Sequence, residues 1–342
     1  MLSRIARNVY RLGQQIERAE NIARILDVNR RMSLEQGYFS ELDVWSPMLA
    51  ITQSRKAFDA RFSEVTEQNV MDFLIADAAN PYAIRACIAH AREMARSIRE
   101  RISEEMWLSL NRMYQDIELA GRMDDHAAFL LDIRQFCNAF HGLVDSTMSH
   151  GESWNFLRLG VGLERARMTM RILEIKYHLL LPSVEEVGKP LDYHQWQALL
   201  RSVSGYEAYR RQYKARINPE LVLRLLNLDP RFPRSVHFSI RLVAKALKSI
   251  GTLNKMQYQL LRETEYFLDD LRGGAALEQM QTSALKDYLD SVQERCSHIE
   301  EMINQSFFNS VTVTLTDANR NLISMQIPQQ QQSGKEGKTC RH

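Results

Sequence analysis

The chain has 342 residues, of which 45% are hydrophobic and 25% are charged, so it can bury a full core of ordinary globular composition. Only 14 glycines and 8 prolines occur, which disfavours sheets and barrels because they need many turns. No apolar run approaches the roughly 20 residues of a membrane span, and the four cysteines form no CxxC pair, as in reducing compartments. Composition therefore predicts an all-α cytoplasmic protein with free thiols and no membrane contact.

The first predicted element is a long amphipathic helix over Leu2–Ser33, because apolar residues step by three and four and only Gly13 weakens the pattern. Prolines and caps place the other starts in the first half. Pro47 suits a first helical turn, and Asn80-Pro81 suits a cap followed by the first helical residue. The further predicted helices are Ser46–Phe62, Glu67–Ala78, Pro81–Ile102, Ser103–Leu119 and Asp124–Met148.

The second half follows the same pattern. Pro182 stops a long helix, Asn218-Pro219 starts a short one, and Gly273-Gly274 separates the last two. The predicted helices are Gly151–Leu181, Tyr193–Ser202, Tyr206–Lys214, one starting at Asn218, Phe232–Leu253, Met256–Leu271 and Ala275–Phe308. Val311–Leu315 alternates like a short strand or an unpaired extended segment, and the polar, glutamine-rich remainder predicts disorder. Residues 309–342 are therefore expected to be an extended or disordered tail.

One segment recurs along the chain. Asn8–Val28 and Asn155–Ile175 are identical at 10 of 21 positions, including Asn, Gly, Glu and three Arg that chance amphipathicity does not align. Val70–Ile84 matches Val222–Val236 more weakly at a similar offset. We therefore predict an internally duplicated helical bundle with two pseudo-symmetric halves, residues 1–148 and 149–308.

Each copy of the repeat carries a Glu-Arg pair behind a glycine. If the two helices meet, Glu17 would face Arg165 or Arg171, and Glu164 would face Arg18 or Arg24, since arginine binds carboxylates bidentately. Such pairs either fix helix packing or line an anion or substrate site, and structural ion-pair networks use the same residues, which favours packing. The candidate functional-cleft residues are Glu17, Arg18, Arg24, Glu164, Arg165 and Arg171.

Basic charge is concentrated in residues 201–250, which hold eleven Lys/Arg against three acids and favour an anionic partner. Arg231, Arg234 and Ser235 lie at a predicted helix start and are candidate anion-binding residues, with ordinary capping as the default interpretation. Tyr206–Arg216 interleaves tyrosines with basic residues, as in nucleic-acid binders or in a solvated basic face. We predict no metal or cofactor, because no Glu-x-x-His pair or phosphate loop occurs.

Four ordered blocks resemble the bacterial alpha-E family, a predicted α-helical domain named for its Glu-Arg motif. They are "MLSRIARNVYRLGQQIERAENIARIL", "NPYAIRACIAHAREMARSIRERISEEMWLSLNRMY", "WNFLRLGVGLERARMTMRIL" and "LLRSVSGYEAYRRQY" with "DPRFPRSVHF". The resemblance covers residues 1–308 and maps the motif to Glu17-Arg18 and Glu164-Arg165. Tyr82-Ala83 and Met94 stand where the family usually has Ser and Asn.

The resemblance implies a functional context. Family members accompany, or are fused to, an ATP-grasp carboxylate-amine ligase, often near a transglutaminase-like protein and a proteasome-like hydrolase. This chain is therefore expected to be a non-catalytic or accessory helical partner of a separate ATP-grasp ligase in peptide or protein modification, binding the ligase, the peptide substrate or both. The alternative is an enzyme acting on the modified peptide, with the Glu-Arg sets as acid/base and anion clamp. A nucleic-acid binder is the least favoured hypothesis.

Overall fold

Helices make up all the regular structure in the described part of the chain, as the sequence predicts. The computed structural model describes residues 1–34, 40–119, 125–179, 190–251, 254–273 and 282–308, with residues 1–308 in one compact unit. The helices are α1 (Ser3–Leu34), α2 (Glu41–Ile51), α3 (Arg55–Asp59), α4 (Glu67–Ile75), α5 (Ile84–Ser97), α6 (Glu104–Leu119), α7 (His126–Thr147), α8 (Glu152–Leu179), α9 (Pro190–Ser202), α10 (Tyr206–Tyr213), α11 (Pro219–Leu223), α12 (Val236–Ser249), α13 (Lys255–Gly273) and α14 (Thr282–Ile303). A 3₁₀ turn at Arg99–Arg101 and π-helical turns at Arg224–Leu228 and Asn304–Phe308 complete them. The predicted tail, including Val311–Leu315, lies outside the described residues.

The predicted helix over Ser46–Phe62 is wrong. The chain forms α2 from Glu41, where Ser40 and Asp43 make a reciprocal capping box, and Pro47 lies inside this helix rather than in its first turn. Gln53 then adopts a left-handed φ of 53° and ends the element before α3. Proline inside a helix is costly, so burial of the α2 core face outweighs the local preference here.

Asn80-Pro81 does not start a helix either. The Asn80 side chain accepts a hydrogen bond from the Tyr82 N–H (3.0 Å) and donates one to the Phe73 carbonyl (3.1 Å), which closes a turn. The following helix, α5, begins only at Ile84. The turn leaves Tyr82 directly before α5, where it faces the central helices.

The central layer is the pair α1 and α8, which run parallel in contact along their lengths. Their contacts join residues close to 147 positions apart and are reciprocal. A β-carbon on Gly13 would overlap the Leu157 carbonyl oxygen, and one on Gly160 would overlap the Tyr10 carbonyl oxygen. The two glycines therefore set the closest approach of the helix backbones.

The outer helices cover the central pair in the same order in both halves. In the first half, α5 and α7 pack on α1, and α6 packs on α5 and α7. In the second half, α12 and α14 pack on α8, and α13 packs on α12 and α14. The internal duplication and its boundaries at residues 148 and 149 remain predictions. Cys87, Cys137 and Cys296 are buried free thiols.

None of the helices in the described ranges is both long enough and apolar enough to cross a membrane.

Candidate functional site: two cross-paired Glu-Arg sets

The two Glu-Arg sets lie about one turn beyond the glycine contacts, where the α1 and α8 backbones are still close. Glu17 is fully buried and Glu164 is 2% exposed. An isolated buried carboxylate is very costly, so each needs a cationic partner. The helix pair supplies these partners across the contact.

Each glutamate binds the arginine of the other helix through a two-pronged pair. Arg165 donates from Nε to Glu17 Oε1 (2.9 Å) and from Nη2 to Glu17 Oε2 (2.6 Å). Arg18 donates from Nε to Glu164 Oε1 (2.7 Å) and from Nη2 to Glu164 Oε2 (3.0 Å). Of the two partners predicted for each carboxylate, the structure has Arg165 for Glu17 and Arg18 for Glu164.

Arg24 and Arg171 do not join these pairs, although the sequence made them alternative partners. Arg24 donates to Glu20 and to the Ser204 hydroxyl. Arg171 donates from Nη2 to Gln53 Oε1 at 2.9 Å. The backbones of Gln53 and Ser204 both adopt the left-handed conformation, with φ of 53° and 52°. Each arginine therefore binds a loop residue of the same backbone conformation, in the other half of the chain.

The Glu17 side of the contact is rich in charge. Arg234 donates from Nη1 to Glu17 Oε1 (3.0 Å) and to Asn21 Oδ1 (2.6 Å), and from Nη2 to Glu20. His141 of α7 places Nε2 3.5 Å from Glu17 Oε2 and 3.8 Å from Glu20 Oε2. This side is therefore a buried cluster of two carboxylates, Glu17 and Glu20, and three arginines, Arg24, Arg165 and Arg234, bordered by an imidazole.

The Glu164 side is aromatic instead. The guanidinium of Arg18 lies over the Tyr82 ring, 4.6 Å from its centroid, a cation–π contact that shields the pair from water. Arg171 also approaches this ring, at 5.9 Å. The two pairs thus share their geometry and differ in surroundings.

The predicted anion-binding residues separate in the structure. Ser235 caps α12 by accepting from the Phe238 N–H (2.9 Å) and donating to the Asp229 carbonyl (2.5 Å), which fixes the backbone that carries Arg234. Arg234 binds the Glu17 and Glu20 carboxylates. The anions that it binds are therefore side chains of the protein. Arg231 has a largely exposed side chain and lies outside this cluster.

Electrostatics hold the carboxylates ionised. Burial would raise the pKa of Glu17, but the Arg165 and Arg234 guanidiniums outweigh it and hold that pKa well below its usual range. Burial likewise opposes ionisation of Glu164, where Arg18 prevails and lowers the pKa. The pKa of Glu20 is also lowered, chiefly by Arg234 against burial and the neighbouring Glu17. The three side chains are therefore permanent anions at neutral pH.

The Glu17, Glu20 and His141 side chains come close enough together to form a metal ligand set, with one atom of each within 4.8 Å of the others. Their carboxylate oxygens, however, already accept hydrogen bonds from Arg165, Arg234 and Arg24. A cation placed there would face three guanidiniums. The donor set therefore fits arginine better than a metal ion.

Acidification is expected to weaken the fold through these groups. Because the folded-state pKa values lie below the ordinary glutamate value of 4.5, their contribution to stability is present above that value. It is lost as the pH falls through 4.5 toward the folded-state pKa. Urea unfolding between about pH 5 and about pH 3 should show a steep fall in the free energy of unfolding. The Glu164→Gln variant should show a shallower fall, and equal slopes would contradict this assignment.

Three residues beside the Glu-Arg pairs were not predicted from the sequence. The repeat does not single out Glu20, because Arg167 stands at the equivalent position of the second copy. His141 lies on α7, and its approach to Glu17 depends on how α7 packs on α1. Tyr82 was noted only as a departure from the family pattern. Its place beside Arg18 depends on the turn at Asn80.

Fold and site together define an all-α protein built on two parallel helices whose Glu-Arg sets pair across the contact. The family described as Alpha-E, "a predicted alpha-helical domain with a conserved ER motif", matches residues 1–308. The chain belongs to this family, and the Glu-Arg sequences of its two matching segments are Glu17-Arg18 and Glu164-Arg165. No curated protein and no solved structure matches the chain.

Proposed function

We propose that this chain is a non-catalytic, accessory helical partner of a separate ATP-grasp carboxylate-amine ligase in the cytoplasm, and that it binds the ligase, its peptide substrate or both. The family resemblance supplies the ligase context. The observation that carries the non-catalytic part is the closure of both Glu-Arg sets on each other. All four side-chain oxygens of Glu17 and Glu164 accept hydrogen bonds from the arginine of the opposite helix.

Closure of this kind argues against acid–base work by the motif. A general acid or base needs a pKa near the working pH and access to substrate. Glu17 and Glu164 are buried, and arginine holds the pKa of each below its usual range. The enzyme alternative, with the Glu-Arg sets as acid/base and anion clamp, would require both pairs to open.

The partner hypothesis is tested by mixing the purified chain with the ATP-grasp ligase of the same host. Light scattering after size exclusion at about 0.3 M salt should show a complex, because a shape-complementary interface outlasts screening of exposed charges. Separate elution at both low and moderate salt would contradict the proposal.

A charge-swapped variant separates the accessory role from catalysis. Arg18→Glu combined with Glu164→Arg keeps one carboxylate and one guanidinium in contact but exchanges their positions. An accessory protein whose pair is structural should still bind the ligase and support ligation. A folded, ligase-bound variant that no longer supports ligation would favour the enzyme alternative.

The nucleic-acid hypothesis has less support from the basic segment. Arg234 is committed to Glu17 and Glu20, and Lys248 pairs with Glu265 at 2.5 Å. Asp269 also lines the groove between α12 and α13, so that groove is mixed in sign. Affinity for RNA or DNA that falls steeply with salt would support this hypothesis over the partner role.

A further inference from the structure

A separate polar cleft of about 390 Å³ opens beside the C-terminal part of α1, between α1, α7 and α9. Its size is in the range of small-molecule sites. Four arginines line it against two carboxylates. These residues are Arg24, Arg31, Arg134, Arg201, Asp27 and Glu207.

The positive charge in the cleft is only partly neutralised. Asp27 Oδ2 already accepts from both Arg134 (2.7 Å) and Arg31 (2.9 Å). Arg201 makes a ring contact with Tyr206 and no ion pair within the described residues. One shared carboxylate and one further acid thus face four guanidiniums, which favours an incoming anion.

Arg24 gives a second, independent indication. It is 6% exposed, and its Nε has no hydrogen-bond partner among the described residues. Its acid partner, Glu20, is shared with Arg234. Burial and the Arg234 and Arg134 guanidiniums lower the pKa of Arg24 to about 10, against the opposing pull of Glu20. A buried, crowded guanidinium at the cleft wall is stabilised by an added anion.

An apolar pocket adjoins the cleft. It has a volume of about 60 Å³, it lies among α1, α2, α8 and α9, and its walls include Ile25, Ile172 and Leu199. Met32 and Ala198 line both spaces. A ligand in the cleft could therefore place a small apolar group against these side chains.

We propose that this cleft binds a small oxyanion-bearing molecule, a carboxylate or a phosphate, whose apolar part lies in the adjoining pocket. The arginine fork suits both oxyanions. The site lies beyond the cross-paired Glu-Arg sets and does not depend on the ligase. Glu20 joins the two regions, since it binds Arg234 on one side and Arg24 on the other.

Calorimetry with the full chain tests the site using two matched pairs of probes. N-acetylleucine and its neutral amide test for a carboxylate, and hexyl phosphate and hexanol test for a phosphate. We expect at least one anion to bind with a Kd of about 1 mM or tighter and its neutral counterpart to bind at least about tenfold more weakly. The anion that binds more tightly shows whether the cleft prefers a carboxylate or a phosphate. Failure of both anions at about 10 mM, or equal binding of the neutral probes, would overturn the proposal.

Two double variants locate the binding. Arg31→Gln with Arg201→Gln removes two largely exposed cleft cations and should weaken anion binding about tenfold or more. Arg211→Gln with Arg216→Gln removes the same charge from exposed positions outside the cleft and should change the Kd less than about twofold. Circular dichroism checks that both variants fold. Equal weakening by the two variants would indicate a general basic field and refute the site.

Discussion

Replacing Glu164 by glutamine is expected to lower the free energy of unfolding by about 3–5 kcal/mol, because it leaves the charge of Arg18 buried and unpaired. The Arg18 side chain is 14% exposed and that of Glu164 is 3% exposed, so water cannot replace the lost carboxylate. Urea unfolding at neutral pH, followed by circular dichroism, measures the effect.

Two controls make this result specific. Glu152→Gln lies on the same helix, α8, but its carboxylate pairs with the N-terminal amine from a side chain that is 41% exposed, so its effect should stay within about 1 kcal/mol. Arg18→Met combined with Glu164→Leu removes both charges and should recover most of the loss. If Glu164→Gln lowered the free energy of unfolding as little as Glu152→Gln, the Arg18–Glu164 pair would contribute little to stability and the prediction would be contradicted.

Gly160→Ala is expected to destabilise the protein by about 3 kcal/mol or more, at the upper end of overpacking effects. The new methyl group would overlap the Tyr10 carbonyl oxygen, and a backbone atom cannot rotate away as a side chain can. The helices must move apart, which also stretches the Glu-Arg pairs one turn further along.

Gly142→Ala provides the matched comparison for this substitution. Gly142 lies within α7, and a β-carbon there would meet nothing within 4 Å. Alanine should therefore stabilise the protein by about 0.5–1 kcal/mol through its higher helix propensity. Thermal or urea unfolding of both variants should show opposite signs. Two small changes of the same sign would mean that the α1–α8 contact is looser than its geometry indicates.

The long central helices could be predicted because periodicity and length are strong local signals. The predicted start and end of α1 each lie within one residue of Ser3 and Leu34, and α8 begins one residue after the predicted Gly151 and ends two before Leu181. The short helix after Asn218-Pro219 also followed from its cap. The helix predicted from Phe232 begins later, at Val236, behind the Ser235 cap. Here the local chemistry and the tertiary contacts favour the same structure.

The wrong predictions arose where tertiary packing overrode a local preference. Pro47 is a strong signal for a helix start, yet the capping box at Ser40 begins α2 earlier and buries Trp45 in the core. Asparagine is a common helix cap, but the Asn80 side chain stabilises a turn instead. It accepts a hydrogen bond from the Tyr82 N–H and donates one to the Phe73 carbonyl. One residue type fits both arrangements, so sequence cannot separate them.

The partners in the site were predictable only in part. The repeat predicted that each glutamate would meet an arginine of the other copy, but it left two candidate arginines for each. The structure has Arg165 for Glu17 and Arg18 for Glu164. The bonds from Arg24 to Ser204 and from Arg171 to Gln53 depend on left-handed loop residues that lie 180 and 118 positions away in the chain. No local pattern encodes those contacts.

The contacts between α1 and α8 are reciprocal, so α1 alone carries the residues for both sides of the contact. α1 carries a glycine, a carboxylate and a guanidinium at the contact, so two copies of this helix could set Gly13 against Tyr10 and Glu17 against Arg18 of the other copy. In this chain the contact forms between α1 and α8 of one polypeptide, where the covalent connection supplies local concentration rather than new contacts. Because α1 and α8 have different sequences, the surroundings of the two Glu-Arg pairs can also differ. Tyr82 lies beside the Arg18–Glu164 pair, and Arg234 lies beside the Arg165–Glu17 pair.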